Sequence, residues 1–211
     1  MKKHLFFAGI FSVIAAAPAM AEMPFTGFIG LNLGATQTVF ADSLDKDYMP
    51  AFHGKFGAEG GIKFGNTENI YNIGATAFYD KTLARDMDRA GIDFINEVYE
   101  EIYGEPLGLD SISVGYSAFG ATIDNYVRVH SDDGSSIYLI AGAGAANLTR
   151  TMTLKSIYAS HDEKEDSTVF LLKLGGIYNF SEHLGLTLGA RIMFPDGYTL
   201  VNYEVGFRYT F

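Results

Sequence analysis

The chain has 211 residues, of which 48% are hydrophobic and 19% charged, with 24 glycines, 14% aromatic residues and no cysteine. Its formal net charge of −10 argues against nucleic acid as a partner, because surfaces that bind nucleic acid are basic. The absence of cysteine excludes disulfides and thiolate metal sites, and the length fits one domain.

The N-terminus has the order of a secretory signal. Two lysines precede an apolar run that ends at Ala17, and Ala19-Met20-Ala21 satisfies the small-x-small rule for signal peptidase. The apolar run is shorter than the roughly 20 residues of a transmembrane helix, and no other segment is long enough. We predict a cleaved signal peptide at 1–21, export through the Sec pathway and a mature domain at 22–211. Cleavage removes two lysines and no acid, which changes the formal net charge from −10 to −12.

The C-terminal segment alternates strictly between apolar and polar residues, which predicts a strand with one apolar face. The apolar positions are Val201, Tyr203, Val205, Phe207, Tyr209 and Phe211. Alternation alone leaves open whether this face meets a protein core or lipid. A final aromatic residue preceded by aromatics at every second position resembles the assembly signal of outer-membrane proteins. Phe207, Tyr209 and Phe211 are the predicted signal residues.

Seven further segments show the same alternation, so we predict eight antiparallel strands that close into a transmembrane β-barrel with a polar interior. They lie at about 25–39, 55–64, 71–80, 112–129, 136–153, 168–180 and 184–192. In the fourth strand Ile112, Val114 and Tyr116 take one parity, whereas Phe119 and the apolar residues after it take the other. This change predicts a bulge near Ala118, with the apolar side chains on both sides of it facing outward.

The connections between predicted strands alternate in length, as expected for short periplasmic turns and long external loops. The short connections are 65–69, 131–135 and 181–183; the external ones are 41–53, 81–110, 154–167 and a tight turn at 195–198. An even strand number then puts both termini in the periplasm. Within the second external loop, apolar residues recur at helical spacing before Gly104 and Pro106, which predicts a short amphipathic helix. Its apolar residues are Ile92, Ile95, Val98, Tyr99, Ile102 and Tyr103.

The glycine-rich first strand, the alternating loops, the segment Ser-Glu-His-Leu-Gly-Leu-Thr-Leu-Gly-Ala-Arg at 181–191 and the final Phe-Arg-Tyr-Thr-Phe together resemble the opacity-type, outer membrane protein A/X-like eight-stranded barrels. The resemblance covers essentially the whole mature chain. It implies a monomeric protein of a Gram-negative outer membrane, acting in adhesion, host or surface interaction, or envelope integrity. The expected partners are outer-membrane lipids and lipopolysaccharide, the outer-membrane assembly machinery, and a host or surface ligand bound through the external loops.

Catalysis has little support in the sequence. Some eight-stranded barrels modify lipid A, and a deacylase of this kind needs a histidine and a serine on one strand face. Here His130 directly precedes Ser131 and His161 directly follows Ser160, so each pair points to opposite faces. The histidines lack metal-ligand spacing, and Gly142-Ala143-Gly144 lies inside a strand and opens no helix. We predict no catalytic residues, no metal and no cofactor.

Six charged residues share the inward parity: Glu59, Lys63, Lys173, Arg191, Glu204 and Arg208. An unpaired charge inside a narrow barrel is costly, so we predict that they pair, with Arg191 and Glu204 in diagonal reach on neighbouring strands. A salt-bridge plug and a gated ion path both fit this pattern. Eight strands leave an interior just filled by side chains, which favours the plug. The alternatives to a surface barrel are a small pore, a lipid A-modifying enzyme and a soluble periplasmic β-protein.

Overall fold

Nine strands and one helix follow one another along the part of the chain that the computed structural model describes, residues 24–41, 48–65, 69–105, 107–132, 134–156 and 159–211. The predicted signal peptide and its cleavage site lie outside the described residues. The elements are β1 (Phe25–Phe40), β2 (Phe52–Phe64), β3 (Tyr71–Thr82), β4 (Arg85–Asp86), α1 (Arg89–Tyr103), β5 (Leu109–Asp132), β6 (Ser135–Ser156), β7 (Ser160–Asn179), β8 (Leu184–Met193) and β9 (Tyr198–Thr210).

The eight long strands form a closed antiparallel ring. Neighbours in sequence pair with each other, β1 pairs with β9, and β3 pairs with β5. The two-residue β4 pairs only with the end of β5, where Arg85 lies opposite Val114 and Asp86 opposite Ser113. β4 therefore extends the sheet locally at the end of β5 and is not a ninth strand of the ring. The predicted fold of eight antiparallel strands closed into a barrel is confirmed.

The outer surface of the ring is apolar and its interior holds the charges, the reverse of a soluble protein. Leu31, Leu188 and Phe207 are exposed by 71%, 71% and 67%, whereas Arg191 and Asp124 are fully buried. Such an exterior is stable only against lipid, so the ring is a transmembrane β-barrel. None of the helices in the described ranges is long and apolar enough to cross a membrane. We call the end that carries α1 the upper end and the end that carries residues 24 and 211 the lower end.

The predicted bulge near Ala118 is wrong. Ile112, Val114 and Tyr116 are buried inside the barrel with Ala118 on the same parity, and the register of β5 and β6 shifts between Leu109 and Ser111 and again between Arg128 and His130. The error came from assuming that the whole interior is polar. The upper part of the lumen contains an apolar cluster, so apolar residues of β5 face inward there.

The predicted loop at 154–167 is also wrong, because both strands continue through it. β6 extends to Ser156 and β7 begins at Ser160, with Lys155 opposite Ser160. Residues 160–166 of β7 are exposed on both faces, so the alternation that marks a strand in lipid disappears there while the backbone ladder continues. Threonine hydroxyls also bridge it, from Thr149 to Asp166 at 2.6 Å and from Thr153 to Asp162 at 2.8 Å.

The helix predicted in the second external loop is confirmed. The Asp88 side chain accepts a hydrogen bond from the Ala90 amide at its start, and Gly104, at a φ of 81°, ends it with an amide that donates to the Glu100 carbonyl. The Asn96 side chain accepts a hydrogen bond from the Leu109 amide at 3.0 Å and donates one to the Leu109 carbonyl at 3.1 Å. The helix is thus fixed to the start of β5.

Candidate functional site

The interior divides into three layers. The upper layer contains an apolar cluster formed by β3 and by β5 to β9, the middle layer is a network of charges, and the lower layer has aromatic rings above a cavity. The apolar cluster contains Phe78, Val114, Tyr116, Ala118, Ala146, Leu148, Val169, Leu171, Met193 and Leu200. Ala146, Leu171 and Leu200 have no exposed surface at all. Side chains of these strands are therefore closely packed at this level of the barrel.

Arg191 is the centre of the charged layer. Its guanidinium contacts Asp80 at 2.7 Å, Glu59 at 2.9 Å and Glu204 at 3.0 Å, and it lies 4.3 Å from the centroid of the Phe78 ring. Strand pairing explains the contact with Glu204, because Arg191 lies directly opposite Asn202 on β9 and Glu204 is two residues further along the same face. A planar guanidinium is suited to several carboxylates at once.

Two lysines complete the network. Lys55 contacts Glu204 at 2.8 Å and Asp80 at 3.1 Å, and Lys173 contacts Asp124 at 3.1 Å and Glu59 at 3.4 Å. Neutral donors satisfy further oxygens: the Thr76 hydroxyl donates to Asp124 at 2.6 Å. Four carboxylates thus share three cations, and every one of these seven side chains has an opposite charge in contact. These ion pairs join side chains of different strands and so hold the strands together across the lumen.

The six lumen residues predicted from sequence fall into two groups. The structure brings Glu59, Lys173, Arg191 and Glu204 together in the network, whereas Lys63 and Arg208 lie below it and make no ion pair with any described residue. Sequence reasoning missed three network members, Lys55, Asp80 and Asp124. Strand parity could have found them, because each lies on the same face of its strand as a predicted inward residue or glycine.

Glycines provide the space for two of the buried carboxylates. A Cβ atom on Gly57 would collide with the Asp80 carboxylate, and one on Gly142 would collide with the Asp124 carboxylate. Gly142 faces Asp124 directly across β5 and β6. The Gly-Ala-Gly segment at 142–144 therefore relieves crowding inside the barrel.

Below the network, Arg208 is held between two aromatic rings. Its guanidinium carbon lies 3.2 Å from the centroid of Phe28 and 5.6 Å from that of Tyr126, and Lys63 Nζ lies 4.5 Å from the centroid of Tyr138. Both cations line a cavity of about 620 Å³ at the lower end. The cavity reaches the β5–β6 turn at Gly134, the β7–β8 connection at Glu182 and the C-terminal residue Phe211.

The rings of His53, His130 and His183 lie within hydrogen-bond distance of two carbonyls and one carboxylate. His53 Nε2 lies 3.2 Å from the Pro50 carbonyl, His183 Nδ1 lies 3.0 Å from the Thr210 carbonyl, and His130 Nε2 lies 3.1 Å from Asp132. Within the described ranges no group of three or more histidine, aspartate or glutamate residues could hold a metal ion. The absence of catalytic residues, metal and cofactor stays a prediction.

At the upper end, α1 exposes a stripe of apolar residues that follow one another at intervals of about one helical turn. Phe94, Val98 and Ile102 are 45%, 36% and 66% exposed, and Tyr103 beside them is 64% exposed. The opposite face of the helix is anchored, since Ile92 is buried against Met87, Leu109 and Ile112. Of the six apolar residues predicted for the helix, Ile92 and Ile95 pack against this cluster. The acids Glu97, Glu100 and Glu101 flank the stripe in exposed positions.

The predicted assembly residues lie on the lipid face of β9. Phe207, Tyr209 and Phe211 are exposed by 67%, 45% and 67%. Phe211 also closes the barrel seam, because its amide donates to the Gly27 carbonyl at 2.9 Å and its carbonyl accepts from the Gly27 amide at 3.1 Å.

No protein-family model and no curated protein matches the chain. Among solved structures it is similar to Ail, the attachment invasion locus protein of Yersinia pestis, at 14% identity over 88% of this chain and 99% of that one, with a TM-score of 0.47. Neisserial surface protein A is 13% identical over 89% of this chain and 97% of its own, with a TM-score of 0.48. A major outer membrane protein from Thermus thermophilus is 12% identical over 89% and 100%, with a TM-score of 0.46.

Proposed function

We propose that the chain is a surface protein of a Gram-negative outer membrane, in which a filled barrel holds a partner-binding helix at the cell exterior. The exported precursor loses residues 1–21, both termini face the periplasm, and α1 faces outward. The apolar exterior supports contact with outer-membrane lipid and lipopolysaccharide. The apolar cluster in the upper lumen and the paired charges argue against a pore, because an eight-stranded barrel leaves an interior just wide enough for its own side chains.

The observation that carries the proposal is the exposed stripe of α1. A disordered loop would expose apolar residues by chance, but this helix is capped at both ends and anchored through Asn96 and Ile92. Its outer face nevertheless leaves Val98, Ile102 and Tyr103 in water. Exposed apolar groups on a fixed support mark an interaction surface.

The chemistry of the surface defines the partner. Glu97, Glu100 and Glu101 surround the stripe, and the neighbouring hairpin adds the exposed acids Glu163 and Asp166. A partner should therefore combine an apolar contact with basic groups around it, because like charges would repel an acidic one. Adhesion to a host or environmental protein fits this chemistry.

The test compares cells that carry the wild type with cells that carry Val98→Ser/Ile102→Ser, assayed for adhesion to host cells. A matched control is Leu188→Ser, which removes from the lipid face one apolar side chain that is more exposed than either Val98 or Ile102. We expect the helix variant to reach the membrane in normal amounts and to lose adhesion. Undiminished adhesion, together with steady single-channel conductance of the purified wild type, would instead support the small-pore alternative.

A further inference from the structure

The lower cavity contains cations that no carboxylate contacts. Arg208 is only 4% exposed and its Nη1 atom is buried without a hydrogen-bond partner among the described residues. A guanidinium buried in this way normally donates to a carboxylate or a phosphate. The Phe28 ring packs against the guanidinium at 3.2 Å and the Tyr126 ring lies 5.6 Å from it, so Nη1 remains available to donate.

The carboxylates of the central network are already engaged. Glu59 and Arg208 lie on the two strands next to β1, on either side of Gly30. Glu59 nevertheless contacts Lys173 and Arg191 and makes no ion pair with Arg208. The network contains one more carboxylate than cations. Arg208 offsets this excess negative charge from a longer distance, without direct contact. Lys63 adds a further positive charge. It lies over the Tyr138 ring, and no acid among the described residues forms an ion pair with it.

Two exposed acids of the lower end, Asp132 and Glu182, also line the cavity. Asp132 is 74% exposed and contacts His130, and Glu182 is exposed in the β7–β8 connection. Hydroxyl groups of Ser136 and Thr210 line the walls. The volume of about 620 Å³ exceeds by an order of magnitude the roughly 30 Å³ of one liquid water, so a polyatomic ligand fits.

We propose that this cavity is a binding site for a small oxyanion, a phosphate or carboxylate group, which enters from the lower end and is held by Arg208 and Lys63. In the orientation given above, the ligand comes from the periplasm. The site is separate from the helix surface, since the charged and apolar layers lie between them. Arg208 supplies a rigid fork of donors, Lys63 supplies a mobile point charge, and the hydroxyls supply further hydrogen bonds.

The test is titration of the full barrel, folded in lipid nanodiscs in a buffer without oxyanions, with inorganic phosphate and separately with sodium acetate. Binding is followed by calorimetry and by amide chemical shifts. We expect saturable binding of at least one anion, with shifts at Ser136 and Thr210 and none on α1. Phosphate alone would assign a phosphate-bearing ligand, and acetate a carboxylate-bearing one.

Three variants locate the site. Lys63→Gln and Arg208→Gln should each weaken binding by about tenfold, the effect of one charge-assisted hydrogen bond. The control Lys164→Gln removes an equal charge from the exposed upper hairpin and should leave binding unchanged. If Arg208→Gln fails to fold, Lys63→Gln decides the matter alone. Absence of saturable binding by the wild type, or equal weakening by Lys164→Gln, would overturn the proposal without affecting the adhesion test.

Discussion

Arg191 and Asp80 meet inside the barrel at 2.7 Å from opposite sides of the ring. Arg191 belongs to β8 and Asp80 to β3, and three strands separate them in either direction around the sheet. No backbone hydrogen bond connects these two strands. The ion pair therefore braces the barrel across its diameter, where the sheet itself provides only links between neighbours.

Arg191→Gln should destabilise the barrel strongly. The change leaves Asp80, Glu59 and Glu204 without the cation that all three share, and removing one partner from a buried ion pair costs about 3–5 kcal/mol. Urea unfolding in lipid vesicles measures the change. Arg89→Gln is the matched control, because its pair with Asp93 is 66% and 53% exposed. Equal midpoints for the two variants would contradict a bracing role.

Glu204→Gln should cost much less than Arg191→Gln, on the order of 1–2 kcal/mol. Lys55 keeps Asp80 at 3.1 Å, and Arg191 keeps two other carboxylates. The double variant should lie between the two single variants in stability, because it lowers the excess of negative charge that Arg191→Gln creates. A complete mutant cycle by urea unfolding gives the coupling energy. A double variant as stable as wild type would show that the two residues form an isolated pair.

Gly142→Ala should destabilise the barrel by about 1–3 kcal/mol through overpacking. The added methyl group would collide with the Asp124 carboxylate and the Ile123 carbonyl, and the carboxylate would be pushed from Lys173. Gly176→Ala is the control, because its Cβ would meet only the Tyr138 carbonyl at 3.4 Å. Thermal unfolding followed by heat-modifiable electrophoretic migration compares them. A larger loss for Gly176→Ala would refute this account.

Deletion of Phe211 should lower the amount of folded protein in the outer membrane. The structure separates two causes, since deletion removes both the aromatic ring and the backbone pair with Gly27. Phe211→Ala keeps the backbone pair and removes only the ring. If the ring is an assembly signal, both variants should lower the yield, and Phe25→Ala, which removes an equally exposed ring at 69%, should not. Normal yield of Phe211→Ala would restrict the role of this residue to seam closure.

Replacing residues 88–104 by a Gly-Ser turn should leave a folded barrel. The ring closes through the pairing of β3 with β5, which runs from Tyr71 opposite Val127 to Lys81 opposite Ser117 and does not involve α1. Loops tolerate changes in length at a small entropic cost. Heat-modifiable migration tests folding, and adhesion should disappear. A barrel that fails to fold would show that the cluster of Ile92 with Leu109 and Ile112 is needed for closure.

The strand count, the lipid face and the outer helix follow from local sequence. Each depends on a short-range period: two residues along a strand such as β9, or about 3.6 residues along α1 with Gly104 at its end. The diagonal contact of Arg191 with Glu204 was also accessible, because a tight connection sets the register of β8 and β9.

Tertiary structure decided what the interior contains at each height. Parity states that Val114 and Asp124 share a face, but only ring closure places the first among apolar side chains from other strands and the second beside Lys173 of β7. The continuation of β6 and β7 above the lipid likewise rests on backbone pairing between strands, which leaves no side-chain period. Contacts across the lumen, such as Arg191 with Asp80, join residues 111 positions apart, and no pattern within a strand encodes that distance.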